Sequence, residues 1–226
     1  MISAAFKALG DLLSPALRAI LFKAFGLTLL LFIAILIGVE MLISILLMVP
    51  WPWAETLIAI GGGLVLAVAF IFLMAPVMAI FAGLFLDDVA SRVEAAHYPA
   101  DLPGTPLAAG RAIVMSVQFA TVVIVVNLAV LPLVFTGLGA AALVAANAYL
   151  LSREYFEMVA MRHMPVEDAR LLRQQNTPKV FMAGLIPAAM ALVPVINIAA
   201  PLFATANFVH IFKQVAASSA NTGRYR

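Results

Sequence analysis

Residues 24–49 read AFGLTLLLFIAILIGVEMLISILLMV, and the one charged residue in that run is Glu40. A helix at 1.5 Å per residue over this stretch crosses the roughly 30 Å hydrocarbon core of a bilayer. A second apolar run, Leu57 to Leu86, carries no charge. It is long enough to tilt or to project beyond the membrane. The two are joined through Pro50-Trp51-Pro52-Trp53, a turn whose tryptophans suit the membrane–water interface. Pro76 within the second run removes a backbone donor and predicts a kink.

The pattern extends outward from these runs. Ala112 to Ser152 holds no charged residue, and Val180 to Phe212 holds only His210 among its charged and imidazole side chains. Over 226 residues the hydrophobic fraction is 65% and the charged fraction 11%, too little polar surface for a water-soluble domain of this size. The expected fold is an all-α integral membrane protein forming a single membrane domain over residues 1–226. The length leaves no room for a separate soluble enzyme domain. With no cysteine there is no disulfide, thiolate nucleophile or Cys-based metal site. His97, His163 and His210 lie far apart and match no metal-ligand spacing, so no metal or other cofactor is expected.

The first residues do not read as a secretory signal. Ile2, Phe6, Leu9, Leu13, Leu17 and Ile20 recur at helical spacing, with Ser3, Lys7, Asp11, Ser14 and Arg18 between them. Residues 1–22 therefore read as an amphipathic helix lying in the interface, ahead of long spanning helices over 24–49 and 57–86. Pro99, Pro103, Gly104 and Pro106 mark a loop within the polar stretch 87–111. Pro132 and Thr136-Gly137-Leu138-Gly139 break the block 112–151, and Pro187, Pro194, Asn197 and Pro201 break the block 180–212. Each block is either two spans or a hairpin of partly penetrating helices. Val180 to Val193 would rise only about 21 Å as a helix, which favours the hairpin for the last block. The charged segment 153–179 between them reads as helix until Pro178. Its alternating signs predict a solvated helical face with local ion pairs, with an anion vestibule or regulatory partner surface as the sharper alternative.

All 13 Lys and Arg fall on one side of this arrangement, together with both chain ends, while Glu55 alone marks the other. The positive-inside rule makes the basic side cytoplasmic.

Three features can carry function. Ser14-Pro15-Ala16-Leu17-Arg18 combines a good N-cap with proline at a first helical position, so a helix restarts at Pro15. Its N–H groups from Ala16 to Arg18, with the Arg18 guanidinium and Lys23 nearby, suit an oxyanion. The plain alternative is a bend with Arg18 and Lys23 reaching lipid phosphate. Glu40 inside the first span is the second feature. It lines an aqueous path, pairs with an arginine or carries a proton, or else faces an oligomer contact. The third is the set of intramembrane amides Gln118, Asn127, Asn147, Asn197 and Asn207. Most read as glue between helices, but Asn197 sits at a hairpin apex where exposed backbone lines a cavity. Gly61-Gly62-Gly63 lacks the lysine of a phosphate-binding loop and reads as close helix packing.

Taken in order, these segments resemble the CysZ family of bacterial sulfate permeases, which shares a domain with the etoposide-induced membrane proteins. Gly10-Asp11-Leu12-Leu13-Ser14-Pro15-Ala16-Leu17-Arg18 is similar to the family's opening motif, and Ala75-Pro76-Val77 with Leu84 to Val93 to its second. Met164-Pro165-Val166, the Arg170 to Arg173 helix, Phe181-x-x-Gly184 and Val193-Pro194-Val195-Ile196-Asn197 resemble its close. The resemblance implies two long transmembrane helices with two hairpins of partly penetrating helices, assembled as a homo-oligomer. It implies a multi-pass protein of the bacterial inner membrane that takes up sulfate for cysteine synthesis, with no nucleic-acid partner and no enzymatic step. It also places sulfate at Ala16, Leu17 and Arg18, capped by Ser14. Glu40, Lys23 and Asn197 are the accompanying pathway or proton-coupling candidates. Two positions depart from the family pattern: Ala16 stands where glycine is usual, and Ala19 where a second arginine is common. A non-transporting membrane scaffold is the alternative function.

Overall fold

The computed structural model describes residues 2–46, 85–106 and 139–221, with helical residues at 56, 60–65, 68, 121, 125 and 129. Among these every regular element is a helix. In chain order they are α1 (Ile2–Leu12), α2 (Pro15–Leu46), α3 (Leu86–His97), α4 (Gly139–Ala160), α5 (Val166–Gln175), α6 (Thr177–Ala191), the short α7 (Pro194–Asn197) and α8 (Ala200–Asn221). The tryptophan turn, Pro76, Gln118, Asn127 and most of the block 112–138 lie outside the described residues. The chain forms two compact units, one of residues 1–18 and 85–226 and the other of residues 19–84.

The first unit is built around α8. Leu202, Phe203, Ala204, Thr205, Ala206, Asn207, Phe208, Val209, His210, Ile211 and Phe212 are buried in unbroken succession. A helix covered on all sides must be the centre of its unit. It is packed by α1, α3, α4 and α6, while α4 and α6 make the largest helix pair. That pair depends on Gly184: a Cβ there would stand 2.4 Å from the Ala148 carbonyl oxygen and 2.7 Å from Ser152 Cβ. Only a residue without a side chain permits that approach. Asn207 Nδ2 donates to the Ala183 carbonyl at 3.2 Å and ties α8 to α6. Residues 183 and 207 sit roughly equidistant from the Pro194–Asn197 turn, so α6, α7 and α8 form a helix–turn–helix. In this case the amide is the interhelical glue expected of it.

Two boundaries differ from the sequence reading. The interfacial segment ends at Leu12 and the long helix begins at Pro15, not near residue 24. Pro15 supplies a fixed φ at a helix start, and its missing N–H costs nothing there. Pro178 likewise opens a helix instead of ending one, as it occupies the first turn of α6. The segment 153–179 is therefore not one element. Arg153 to Ala160 complete α4, and α5 and the start of α6 follow.

Helix α1 turns its small residues inward. Ala4 and Ala8 are fully buried where α1 packs on α8, while Ile2, Phe6, Leu9 and Leu13 are exposed. Ile2, Phe6 and Leu9 of α1 thus project from the unit, whereas Leu17 and Ile20, expected on the same apolar face, are buried.

In the second unit α2 dominates. Its stretch Pro15–Leu42 is long and apolar enough to cross a membrane, and 17% of its most apolar window is buried. A core helix of a soluble protein hides most of that surface. Leu30, Ile33, Ile37, Met41 and Leu42 are instead exposed, which suits lipid.

Candidate functional site

The turn between α1 and α2 is held by its own backbone. Ser14 N–H donates to the Asp11 carbonyl at 2.9 Å, and the Ser14 carbonyl accepts from Arg18 N–H at 3.0 Å. Ser14 Oγ accepts from Leu17 N–H at 3.3 Å, the N-cap bond that serine provides. Of the three N–H groups expected to face a solute, those of Leu17 and Arg18 are therefore used within the turn. Ala16 N–H is the remaining one. The Leu17 side chain is buried, so this residue offers a solute no side-chain contact. Arg18 is exposed. Lys23 and Glu40 are also exposed on α2. Asn197 is half-buried in α7, its N–H donating to the Val193 carbonyl at 2.7 Å.

Immediately before this turn, the Asp11 carboxylate is clasped by two histidines. Its Oδ1 lies 2.7 Å from His97 Nε2, and its Oδ2 lies 2.9 Å from His210 Nε2. His210 is fully buried, and its Nδ1 lies 2.9 Å from the Tyr98 hydroxyl. The two imidazoles meet edge to face at 4.9 Å between centroids. Burial pushes the Asp11 carboxyl up, but the bonds from His210 and His97 outweigh it and hold it below its ordinary range. Lys213 lies 5.5 Å over the Tyr98 ring and pairs with Asp101 at 2.7 Å. The last residue of α3, a central position of α8 and the end of α1 thus fix the residue from which the turn departs.

A second polar cluster surrounds Arg162, whose side chain is fully buried. Its guanidinium donates to Asp87, to Ser91 Oγ at 2.8 Å, to Glu94 at 3.3 Å and to the Gly104 carbonyl at 3.3 Å. Glu94 also receives Gly104 N–H at 3.2 Å and lies 2.9 Å from His163 Nε2. Burial raises the Glu94 carboxyl, yet the bonds from His163 and Arg162 and the charge of Arg162 bring it down to about 2. Gly104 is required here, because a Cβ would stand 2.8 Å from Arg162 Cβ and 2.9 Å from its Nε. Nearby, the buried Glu157 is met by Arg173 at 2.7 Å, Arg170 at 3.7 Å and Arg153 at 3.8 Å. Segment 153–179 does carry the local ion pairs expected of it, but Glu157, on which they centre, and Arg162 are interior and not on a solvated face.

Sequence reasoning missed both clusters. Asp11 reads as part of a polar helix face, and no spacing links it to His97 or His210. The one available signal was His210, alone in a long apolar run. Glu94 and Arg162 stand in segments that look solvated, and only their convergence reveals a network.

Comparison with known proteins adds one match. The family model described as "Sulfate transporter CysZ/Etoposide-induced protein 2.4" matches residues 4–201. No curated protein matches the chain.

Proposed function

We propose, because the chain belongs to the sulfate transporter CysZ/etoposide-induced protein 2.4 family, that it moves sulfate or a related oxyanion across the bacterial inner membrane. The family match carries this reading, since it runs from α1 through α7 and includes the Ser14–Arg18 turn. Transport is independent of ATP, as no phosphate-binding loop occurs in the sequence. The anion is captured at Ala16 N–H and the Arg18 guanidinium, with Ser14 capping the turn and Lys23 adding positive charge. Lys23 is a point charge and not a planar fork, so it replaces the second arginine only in part. Glu40 couples the movement to protons, and Asn197 lines the path at the apex of the last hairpin. Most of the second long span expected over 57–86 and most of the first hairpin lie outside the described residues. The protein acts as a homo-oligomer with its termini in the cytoplasm, and it supplies sulfur for cysteine synthesis.

One observation favours a non-transporting scaffold instead. The turn keeps two of its three N–H groups for itself, so its donor set for an anion is small. Labelled sulfate flux into liposomes separates the two readings. The transport reading expects flux with the wild type and its loss in Arg18→Ala. It is overturned if a folded wild type moves sulfate no faster than empty vesicles.

A further inference from the structure

We propose that Asp11, His97 and His210 form a binding site for a divalent transition-metal ion of the zinc class. A carboxylate oxygen and one nitrogen from each imidazole lie within 4.8 Å of one another, on three helices that are remote in sequence. Two neutral imidazoles and a carboxylate are a borderline donor set, suited to zinc and its first-row neighbours and poorly matched to calcium or magnesium. Both imidazoles approach the Asp11 carboxylate through Nε2, His97 on Oδ1 and His210 on Oδ2.

The surroundings fit as well. A ligating histidine needs its second nitrogen held by a hydrogen bond, which fixes the tautomer and the ring plane. His210 has that partner in the Tyr98 hydroxyl, 2.9 Å from Nδ1. With a metal on Nε2, the proton sits on Nδ1 and is donated to the tyrosine oxygen. Lys213, the cation nearest Tyr98, has its charge matched by Asp101 at 2.7 Å. His97 is 31% exposed and Asp11 12%, so the cluster opens on one side for ion entry and for a fourth ligand from water.

The present spacings of 2.7 and 2.9 Å are those of hydrogen bonds. Zinc bonds of 2.0–2.1 Å in a tetrahedron need about 3.3 Å between ligand atoms. The two N to O contacts therefore lengthen by about half an ångström, while the widest spacing of the cluster, within 4.8 Å, closes towards the same value by rotation of the carboxylate and of the partly exposed His97. In the ion's absence the same residues hold each other by hydrogen bonds. In its presence α1 is locked to α3 and α8.

The test titrates full-length, tag-free protein in detergent with Co²⁺, read by visible ligand-field absorption, and then displaces the cobalt with Zn²⁺. One saturable Co²⁺ per chain is expected, displaced by Zn²⁺. His97→Ala and His97→Gln should abolish the saturable band, and Tyr98→Phe should weaken binding about tenfold. His163→Ala, which alters the remaining histidine, should leave it unchanged. Zn²⁺ should also slow trypsin cleavage at the exposed Lys7 of α1 in the wild type and not in His97→Gln. The proposal is overturned if folded wild-type protein gives no saturable band. It is equally overturned if both His97 variants bind like the wild type, or if His163→Ala abolishes binding.

Discussion

A buried arginine needs its charge answered inside the protein, and Arg162 has Glu94 and Asp87 for that purpose. Removing one partner of a buried pair leaves an uncompensated charge and costs about 3 kcal/mol. Glu94→Gln should therefore destabilise the folded chain by about that amount, measured by thermal unfolding in detergent. The same residue fixes a pH dependence. Its folded-state carboxyl is held at about 2, against an ordinary 4.5. A lowered carboxylate contributes stability that is present above the ordinary value and lost as pH falls towards the folded one. Wild-type stability should thus decline between pH about 4.5 and about 2, with a flatter decline in Glu94→Gln. An identical acid profile in both proteins would count against this assignment.

At the scale of elements, Ser14 separates two roles of the α1–α2 turn. Its Oγ caps Leu17 N–H, so Ser14→Ala should cost about 1 kcal/mol of stability. Ser14→Asp keeps a capping oxygen but brings negative charge to the proposed anion position. It should hold the stability and lose sulfate flux, whereas loss of both together would make the turn purely structural. Gly184 governs the α4–α6 contact in a different way. A methyl group at 2.4 Å from the Ala148 carbonyl oxygen forces the helices apart, and overpacking of this kind costs about 1–3 kcal/mol. Gly184→Ala should lower the unfolding temperature, while Ala183→Gly beside it should have a smaller effect. The glycine of the Phe181-x-x-Gly184 motif is legible in the sequence, but its reason is not, because the opposing carbonyl belongs to another helix.

At the scale of the whole molecule, exposed apolar surface and basic charge act together. The outward apolar side chains of α1 and the open sides of α2 call for lipid. The protein should stay with membranes through an alkaline wash and enter solution only with detergent. The proposed topology puts all 13 Lys and Arg on one side and so predicts cytoplasmic termini. A reporter that fluoresces only in the cytoplasm should be active when fused after Arg226 and inactive when inserted near Glu55. The reverse pattern would overturn the proposed orientation.

The membrane setting and the helical class are legible in the sequence, and so is a helix start at Pro15, although the long span itself reads there as opening near residue 24. Each of these follows from local physics: uninterrupted apolar runs, helical periodicity, and serine followed by proline at a helix start. The family resemblance was legible for the same reason, being carried by short contiguous motifs. Which polar residues act together is set by the packing of helices remote in sequence. Asp11, His97 and His210 converge because α1 and α3 both pack on α8, and Glu94 meets Arg162 because a loop at Gly104 closes over it. Long-range convergence leaves no periodic trace, since a buried charge is recognised by its partners and the chain can supply those from any distance along its length.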